Sequence, residues 1–252
     1  GLLGLFIACL VPATPTARQA ALRLQCTSNI KAIGNAIHSH HRVPQGEFEV
    51  AGGVGVNENG SPRYLPDDEG RPPTSWRVVL LPYLEQRELF EQYDLTLPWN
   101  DPKHDPIAKK PPHLYVCGAA LRYSRTHGRN ERGQFYTSYF ALVGPGTLFP
   151  DRRRLQMPRE EGGLSNTLMV VEACGEPVVW IEPRDIDVSR HSIDVNQGSS
   201  RRDRSPSILS SYHVGGAQGL RGDGSVDFIN KNIDPQVLRA LMNAAPGESK
   251  RD

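Results

Sequence analysis

Apolar and polar positions in the first forty-odd residues fall into two successive patterns. Gly1 to Ala13 is an uncharged apolar run, shorter than the roughly 20 apolar residues a membrane-spanning helix needs, and is expected to be the tail of a longer apolar segment. From Pro15 the pattern turns amphipathic. Leu22, Cys26, Ile30, Ile33 and Ile37 recur at spacings of three and four, one stripe of a helix, while Arg18, Arg23, Gln25, Lys31 and Asn35 fall off it. Thr14 suits an N-cap and Pro15 the first helical position. Pro12 is a kink point, and Pro44 ends the helix. Such a stripe needs a globular partner, so residues 1–43 read as anchor and stem and residues 44–252 as a head.

Within the head the pattern changes to short apolar runs between turn residues. Residues 45 to 75, rich in Gly, Pro and Asn, read as a surface excursion with a hairpin near Phe48 to Val56. A short helix is expected from Pro82 to Tyr93, flanked by Trp76 and Trp99 as core or loop anchors. Strands are expected at Leu114 to Val116, Thr137 to Val143, Leu168 to Ala173, Val178 to Glu182, Ile208 to His213, Ala217 to Arg221 and Ser225 to Ile229. Asp223-Gly224 is a hairpin signal, since both residue types tolerate positive φ. A last helix, Pro235 to Ala244, carries Val237, Leu238 and Leu241 on one side. The fold class is α+β, a long N-terminal helix packed on an antiparallel sheet with loop-rich insertions.

Composition narrows the function. With 252 residues, the chain is long enough to bury a full core without cross-links. A formal net charge of +1 gives no electrostatic case for nucleic acid, and the basic runs Arg152 to Arg154 and Arg201 to Arg204 read as solvated loops. Four cysteines at these spacings form neither a disulfide scaffold nor a zinc signature. Cys26 and Cys117 are a candidate disulfide tying stem to head if the head lies outside the cytoplasm; buried free thiols are the alternative.

Several blocks, in order, resemble one family. They are Leu24-Gln25-Cys26-Thr27-Ser28-Asn29-Ile30-Lys31, Ser75-Trp76-Arg77, Pro98-Trp99-Asn100, Val143-Gly144-Pro145-Gly146-Thr147, Ser165-Asn166-Thr167 leading to Glu172, and Trp180 to Asp185. Near the end, His213, Gly215 and Gly216 precede Asp223 and Gly224 in a His-x9-Asp-Gly signature inside a hairpin at 207–229. Together they resemble the bacterial pilin-like proteins of unknown function with a prepilin-type methylation segment. The processing motif of that family, a Gly followed by Phe-Thr-Leu and a Glu, would precede Gly1. Gly219, Arg221 and Gly222 depart from the apolar or small residues the family tends to have, so that strand is expected to be more exposed or more mobile.

The resemblance implies a type IV pilin or type II secretion pseudopilin-like subunit of the cell envelope. Its helix would sit in the inner membrane with the head extracytoplasmic, or in an extracellular filament of self-associated subunits. The rival reading is an anchored binding module for polysaccharide or an envelope protein, displaying the 45 to 75 excursion and the Trp76 and Trp99 region.

Candidate chemistry is sparse. His38 and His41 stand one turn apart and, with His213, are weak metal candidates; helix-end capping is the plainer role for the first two. His213 is expected to bond the hairpin backbone, with Asp223 orienting it. Ser211 or Ser225 would join His213 and Asp223 only as a nucleophile lacking the strand-turn-helix elbow that exposes one, so no enzyme is expected. No cofactor is expected either, apart from calcium, which the resemblance admits through carboxylates such as Glu172, Glu182 and Asp185, without the Asp-x-Asp string of a calcium loop.

Overall fold

The computed structural model describes residues 15–42, 54–56, 62–64, 70, 72–150, 155, 161–196 and 206–244. The apolar opening, residues 48–53 of the expected hairpin and both basic runs lie outside the described residues. Strands β1 (Val54–Val56) and β2 (Pro62–Tyr64) pair antiparallel as a small separate ribbon.

The main sheet contains β3 (Tyr139–Val143), β4 (Leu168–Glu172), β5 (Ile186–Asp187), β6 (Gly216–Arg221) and β7 (Val226–Asn230), in the order β5-β3-β4-β6-β7. The fold is α+β, as the patterning implies, but the sheet is mixed. β5 runs parallel to β3, because the chain leaves β4 through a series of turns before laying Ile186 and Asp187 beside Leu142 and Val143.

Both faces of the sheet are covered, which is why its strands read as continuous apolar runs. On β3, Tyr139, Ala141 and Val143 join a core with Ile30, Ile33 and Ile37 of the stem. Phe140 and Leu142 face the other way, in a core that includes Leu238 and Met242 of the C-terminal helix Pro235–Met242. The register of β4 shifts between Leu168 and Val170, so Met169 and Val170 both reach the stem-side core.

The stem helix spans Pro15–His41. Cys26, Ile30, Ile33 and Ile37 are all fully buried on the expected stripe, and Leu22 is half-buried. Toward its start the helix emerges from the head, and Leu24 is 68% exposed. Polar clamps hold its edge against the β6–β7 hairpin. Arg23 donates to Val214 O at 3.0 Å with its guanidinium 4.1 Å from the Phe228 ring centre, and Lys31 Nζ donates to Gly224 O. Among the described residues no helix is long and apolar enough to cross a membrane.

Several local expectations fail for identifiable reasons. β6 is buried from Gly216 to Leu220 rather than exposed, because it lies between β4 and β7 and the small Gly219 lets Leu168 pack against it: a Cβ there would sit 2.7 Å from Leu168 Cδ2. Leu114 to Val116 is not a strand. After Pro111-Pro112 the chain tightens into a 3-10 turn, His113–Tyr115. Val178 to Glu182 and Ile208 to His213 contribute only isolated bridges, among them Tyr136↔Val179 and Ala173↔Ser210, since Pro177 and Pro183 flank the first and the second leads into serine-rich turns. The helix expected from Pro82 to Tyr93 is split into Leu81–Leu84 and Arg87–Glu91 by Glu85, whose φ is +59°. On the last helix Leu238 and Met242 are the buried pair, one turn apart, while Val237 is 51% exposed.

Candidate functional site

Where the stem meets the head, Cys26, Cys117, Glu172 and His213 converge from four separate segments. Their side-chain donor atoms all lie within 4.8 Å of one another, and all four residues are buried. Cys26 sits on the buried stripe of the stem, one turn before Ile30. Cys117 precedes the short helix Gly118–Tyr123, and its N–H donates to Ser138 Oγ at 2.8 Å, fixing the chain where it passes under β3. Glu172 ends β4 opposite Tyr139. His213 follows Ser211, whose Oγ accepts its backbone N–H at 3.0 Å, and is followed by Gly215 at φ +93°. That left-handed turn, which glycine adopts without strain, starts β6 at the residue where its pairing with β7 begins.

Cys26 and Cys117 are free thiols with their sulfurs 3.1 Å apart. His213 Nε2 points at Cys117 Sγ, 3.5 Å away, and lies 3.8 Å from Glu172 Oε1. The other oxygen, Oε2, accepts the Gln218 N–H at 3.1 Å. Cys174 flanks the group, its sulfur 3.6 Å from Glu172 Oε1. His213 Nδ1 is buried without a hydrogen-bond partner. Tyr212, Ala119 and Ala120 pack around the sulfurs, with Leu22 and Tyr123 at the margin.

The electrostatics favour proton retention. The contact with Cys117, together with burial, pushes the Cys26 thiol up, and burial does the same to Cys117 and Cys174. Burial also raises the Glu172 carboxyl, against the Cys117 and Gln218 hydrogen bonds that favour its anion. Chemically the cluster is a nitrogen, sulfur and oxygen donor set in a dry pocket, suited either to a thiol pair or to a soft cation.

The other sequence candidates lie elsewhere. His38 is about 18 Å further along the stem than Cys26 at 1.5 Å per residue, beside the Asp223-Gly224 turn, where a Cβ on Gly224 would approach its Nε2 to 3.6 Å. His38 and His41 lie in the last turn of the stem, at the opposite end of β6 from His213, so the three imidazoles do not meet. Asp223 accepts from Ser225 N and Oγ at 2.8 and 2.7 Å. It therefore orders the hairpin turn and does not orient His213, and Ser225 stands apart from both His213 and Ser211.

The carboxylates considered for calcium are committed separately. Glu182 pairs with Arg184 at 2.8 Å, Asp185 with Arg77, and Glu172 with the thiol cluster. Trp76 is buried, its Nε1 3.1 Å from each oxygen of Asp185, whereas Trp99 is half-buried.

Sequence spacing missed the cluster because its members are far apart in the chain. The signals it offered were partial: Cys26 and Cys117 were paired as a candidate stem-to-head link, and their sulfurs do meet, as free thiols, while Cys26, Glu172 and His213 each stand in one of the blocks carrying the resemblance. A family model described as protein of unknown function (DUF1559) matches residues 15–236. No curated protein and no solved structure matches the chain.

Proposed function

Because the chain belongs to the DUF1559 family of proteins of unknown function, and its stem is built as it is, we propose that it is a non-enzymatic, pilin-like structural subunit of the cell envelope. The observation that carries this reading is the division of one helix into two parts. From Cys26 onward its stripe is buried in the head. Before that, exposed residues lead back toward the apolar run Gly1 to Ala13.

A stem helix held by its head and preceded in sequence by an apolar run can rest in a membrane. It can then exchange lipid for the stems of neighbouring subunits, where close packing replaces the lipid contacts. In this reading the helix anchors the protein in the inner membrane, the head lies outside the cytoplasm, and the partners are further copies or related pilin-like subunits of a type IV pilus or type II secretion pseudopilus.

The test is fractionation of the native cell into membrane and sheared-filament material, with mass determination of the mature N-terminus. We expect a processed, methylated N-terminus and protein in high-molecular-weight fibres. Leu24→Asp, on the exposed part of the stem, should abolish the fibres while leaving the melting of the head unchanged. Monomeric, unprocessed protein in the membrane, indifferent to Leu24→Asp, would overturn the filament role.

One observation favours the second reading, an anchored binding head. Pro72, Pro73, Thr96, Pro98, Trp99 and Asn100 line a cleft of about 410 Å³, a mix of an aromatic ring, prolines and polar side chains that suits a sugar. The buried Trp76 cannot contribute to it. Monomeric membrane protein that retains a polysaccharide in a pull-down, and loses it on Trp99→Ala, would favour this reading.

A further inference from the structure

We propose that Cys26, Cys117, Glu172 and His213 form a binding site for a tetrahedrally coordinated, thiophilic divalent cation of the zinc type, which ties the stem helix to the head. The inference does not depend on filament assembly.

Four donors held about 2.0–2.3 Å from a common zinc ion stand roughly 3.3–3.8 Å from each other in a tetrahedron. The Cys117–His213 and His213–Glu172 separations, 3.5 and 3.8 Å, are already of that size, and the sulfurs at 3.1 Å need only a small outward movement. His213 is buried with Nδ1 unpartnered, and its Nε2 is turned to Cys117 Sγ at 3.5 Å and Glu172 Oε1 at 3.8 Å. A neutral imidazole with its proton on Nδ1 presents the Nε2 lone pair to the sulfur and carboxylate donors, which is the atom a zinc-type ion takes.

Glu172 is presented the same way. Gln218 N–H holds Oε2, while Oε1 accepts from the Cys174 thiol at 3.6 Å and faces His213 at 3.8 Å. Thiolates exclude calcium and magnesium as preferred occupants and select a softer ion. On binding, the thiols of Cys26 and Cys117 release their protons to solvent, and a dication with two thiolates, one carboxylate and a neutral imidazole leaves a net charge of −1.

The experiment uses the full chain, reduced and freed of metal, titrated with Co²⁺ as a spectroscopic substitute. We expect thiolate-to-cobalt charge-transfer and tetrahedral visible bands that saturate at one equivalent and are displaced by Zn²⁺. His213→Ala and Glu172→Gln should each lower cobalt affinity at least about 10-fold, the size that changes outside the ligand shell already produce. Cys26→Ser should remove part of the charge-transfer intensity, and Cys174→Ser should leave the spectrum unchanged.

Should a ligand variant fail to fold, the wild-type melting curve decides: excess Zn²⁺ raises the transition and a chelator lowers it. The proposal is overturned by folded, reduced protein that shows no charge-transfer band or no zinc-dependent melting shift. A band that survives Cys26→Ser and His213→Ala, or is lost in a folded Cys174→Ser variant, overturns the ligand assignment. A Cys26–Cys117 disulfide found by alkylation and mass mapping of protein isolated from its cell overturns it in favour of a covalent clamp.

Discussion

Arg77 and Asp185 form a 2.8 Å salt bridge from which solvent is almost wholly excluded. The guanidinium has no spare donor geometry. Its Nε donates to Tyr139 O at 3.0 Å, Nη1 to Ser75 Oγ at 3.1 Å and to Glu182 O at 3.4 Å, and Nη2 to Asp185 and Arg184 O. Asp185 Oδ1 also accepts the Ala141 N–H at 2.8 Å, and both carboxylate oxygens lie near Trp76 Nε1. The pair thus stitches the Trp76–Val79 helix to β3 and to the approach of β5. Burial opposes both charges, raising the Asp185 carboxyl and lowering the Arg77 guanidinium, and the surrounding hydrogen bonds offset that cost.

Removing one partner leaves the other charged and dry. Asp185→Ala is expected to destabilise the head by about 3–5 kcal/mol, read as a lower urea midpoint. Arg77→Lys should cost several kcal/mol as well, because an ammonium cannot reproduce the planar fork that reaches Tyr139, Ser75 and Asp185 together. The double variant Arg77→Met/Asp185→Ala should lose less than the losses of the single variants Arg77→Met and Asp185→Ala summed. Strict additivity would show that the two side chains act independently.

At the start of β6 the backbone of β7 is so close that a Cβ on Gly216 would fall 2.0 Å from Ile229 O. No rotamer relieves a clash with a backbone carbonyl, so Gly216→Ala must displace the strand pair itself. A loss of about 2–3 kcal/mol is expected, with weakened protection of the Ala217 and Ile229 amides in hydrogen exchange. Gln25→Ala, on the exposed face of the stem, should change stability by less than about 0.5 kcal/mol.

What the sequence discloses is set by how local each signal is. The stripe Cys26, Ile30, Ile33, Ile37 is legible because helical period and burial coincide within four turns. β3, β4 and the β6–β7 hairpin are legible because each is a short apolar run beside glycine turns. β5 is two residues long, too short for any period to register, and Val178 to Glu182 has strand composition but is bent by its flanking prolines. The cluster of Cys26, Cys117, Glu172 and His213 has no local signal at all, since only the stem docking on the sheet brings residue 26 to residue 213. The candidate link between Cys26 and Cys117 anticipated one edge of it, and the family-like blocks marked Cys26, Glu172 and His213 separately, without implying that they meet.

A pH dependence resides on the far side of the sheet from the stem. His191 Nδ1 is 2.9 Å from Asp187 O, and its Nε2 is 3.1 Å from Glu176 Oε1. Both neighbours are acceptors, so only the imidazolium can donate to both. Burial works to lower the His191 pKa, but the bonds to Glu176 and Asp187 carry it above the ordinary value of 6.5. A raised histidine stabilises the fold fully below its unfolded pKa, and that contribution disappears as pH rises through the folded value. The wild type should therefore lose stability as pH rises from below 6.5 through the folded value. His191→Gln should flatten that part of the stability profile, and an unchanged slope in this variant would assign the dependence to other groups.

Close approach of stem to sheet rests on Gly34 and Leu220. A Cβ on Gly34 would stand 2.9 Å from Leu220 Cδ1 and 3.2 Å from Cδ2, and Leu220 is itself buried on the stem side of β6. Two effects oppose each other in Gly34→Ala. Alanine favours the helix by about 1 kcal/mol, whereas overpacking against a buried leucine costs about 1–3 kcal/mol. The net expectation is a modest loss. Leu220→Ala alone should cost about 2–5 kcal/mol through the cavity it leaves. In the double variant the new methyl group enters part of that cavity and the helix gain is kept, so the combined loss should fall short of the sum by about 1 kcal/mol or more. Urea midpoints of the four proteins give this coupling directly. Additive losses would mean that the stem shifts away from β6 to admit the alanine, and that the contact between these two residues does not fix the seat of the helix.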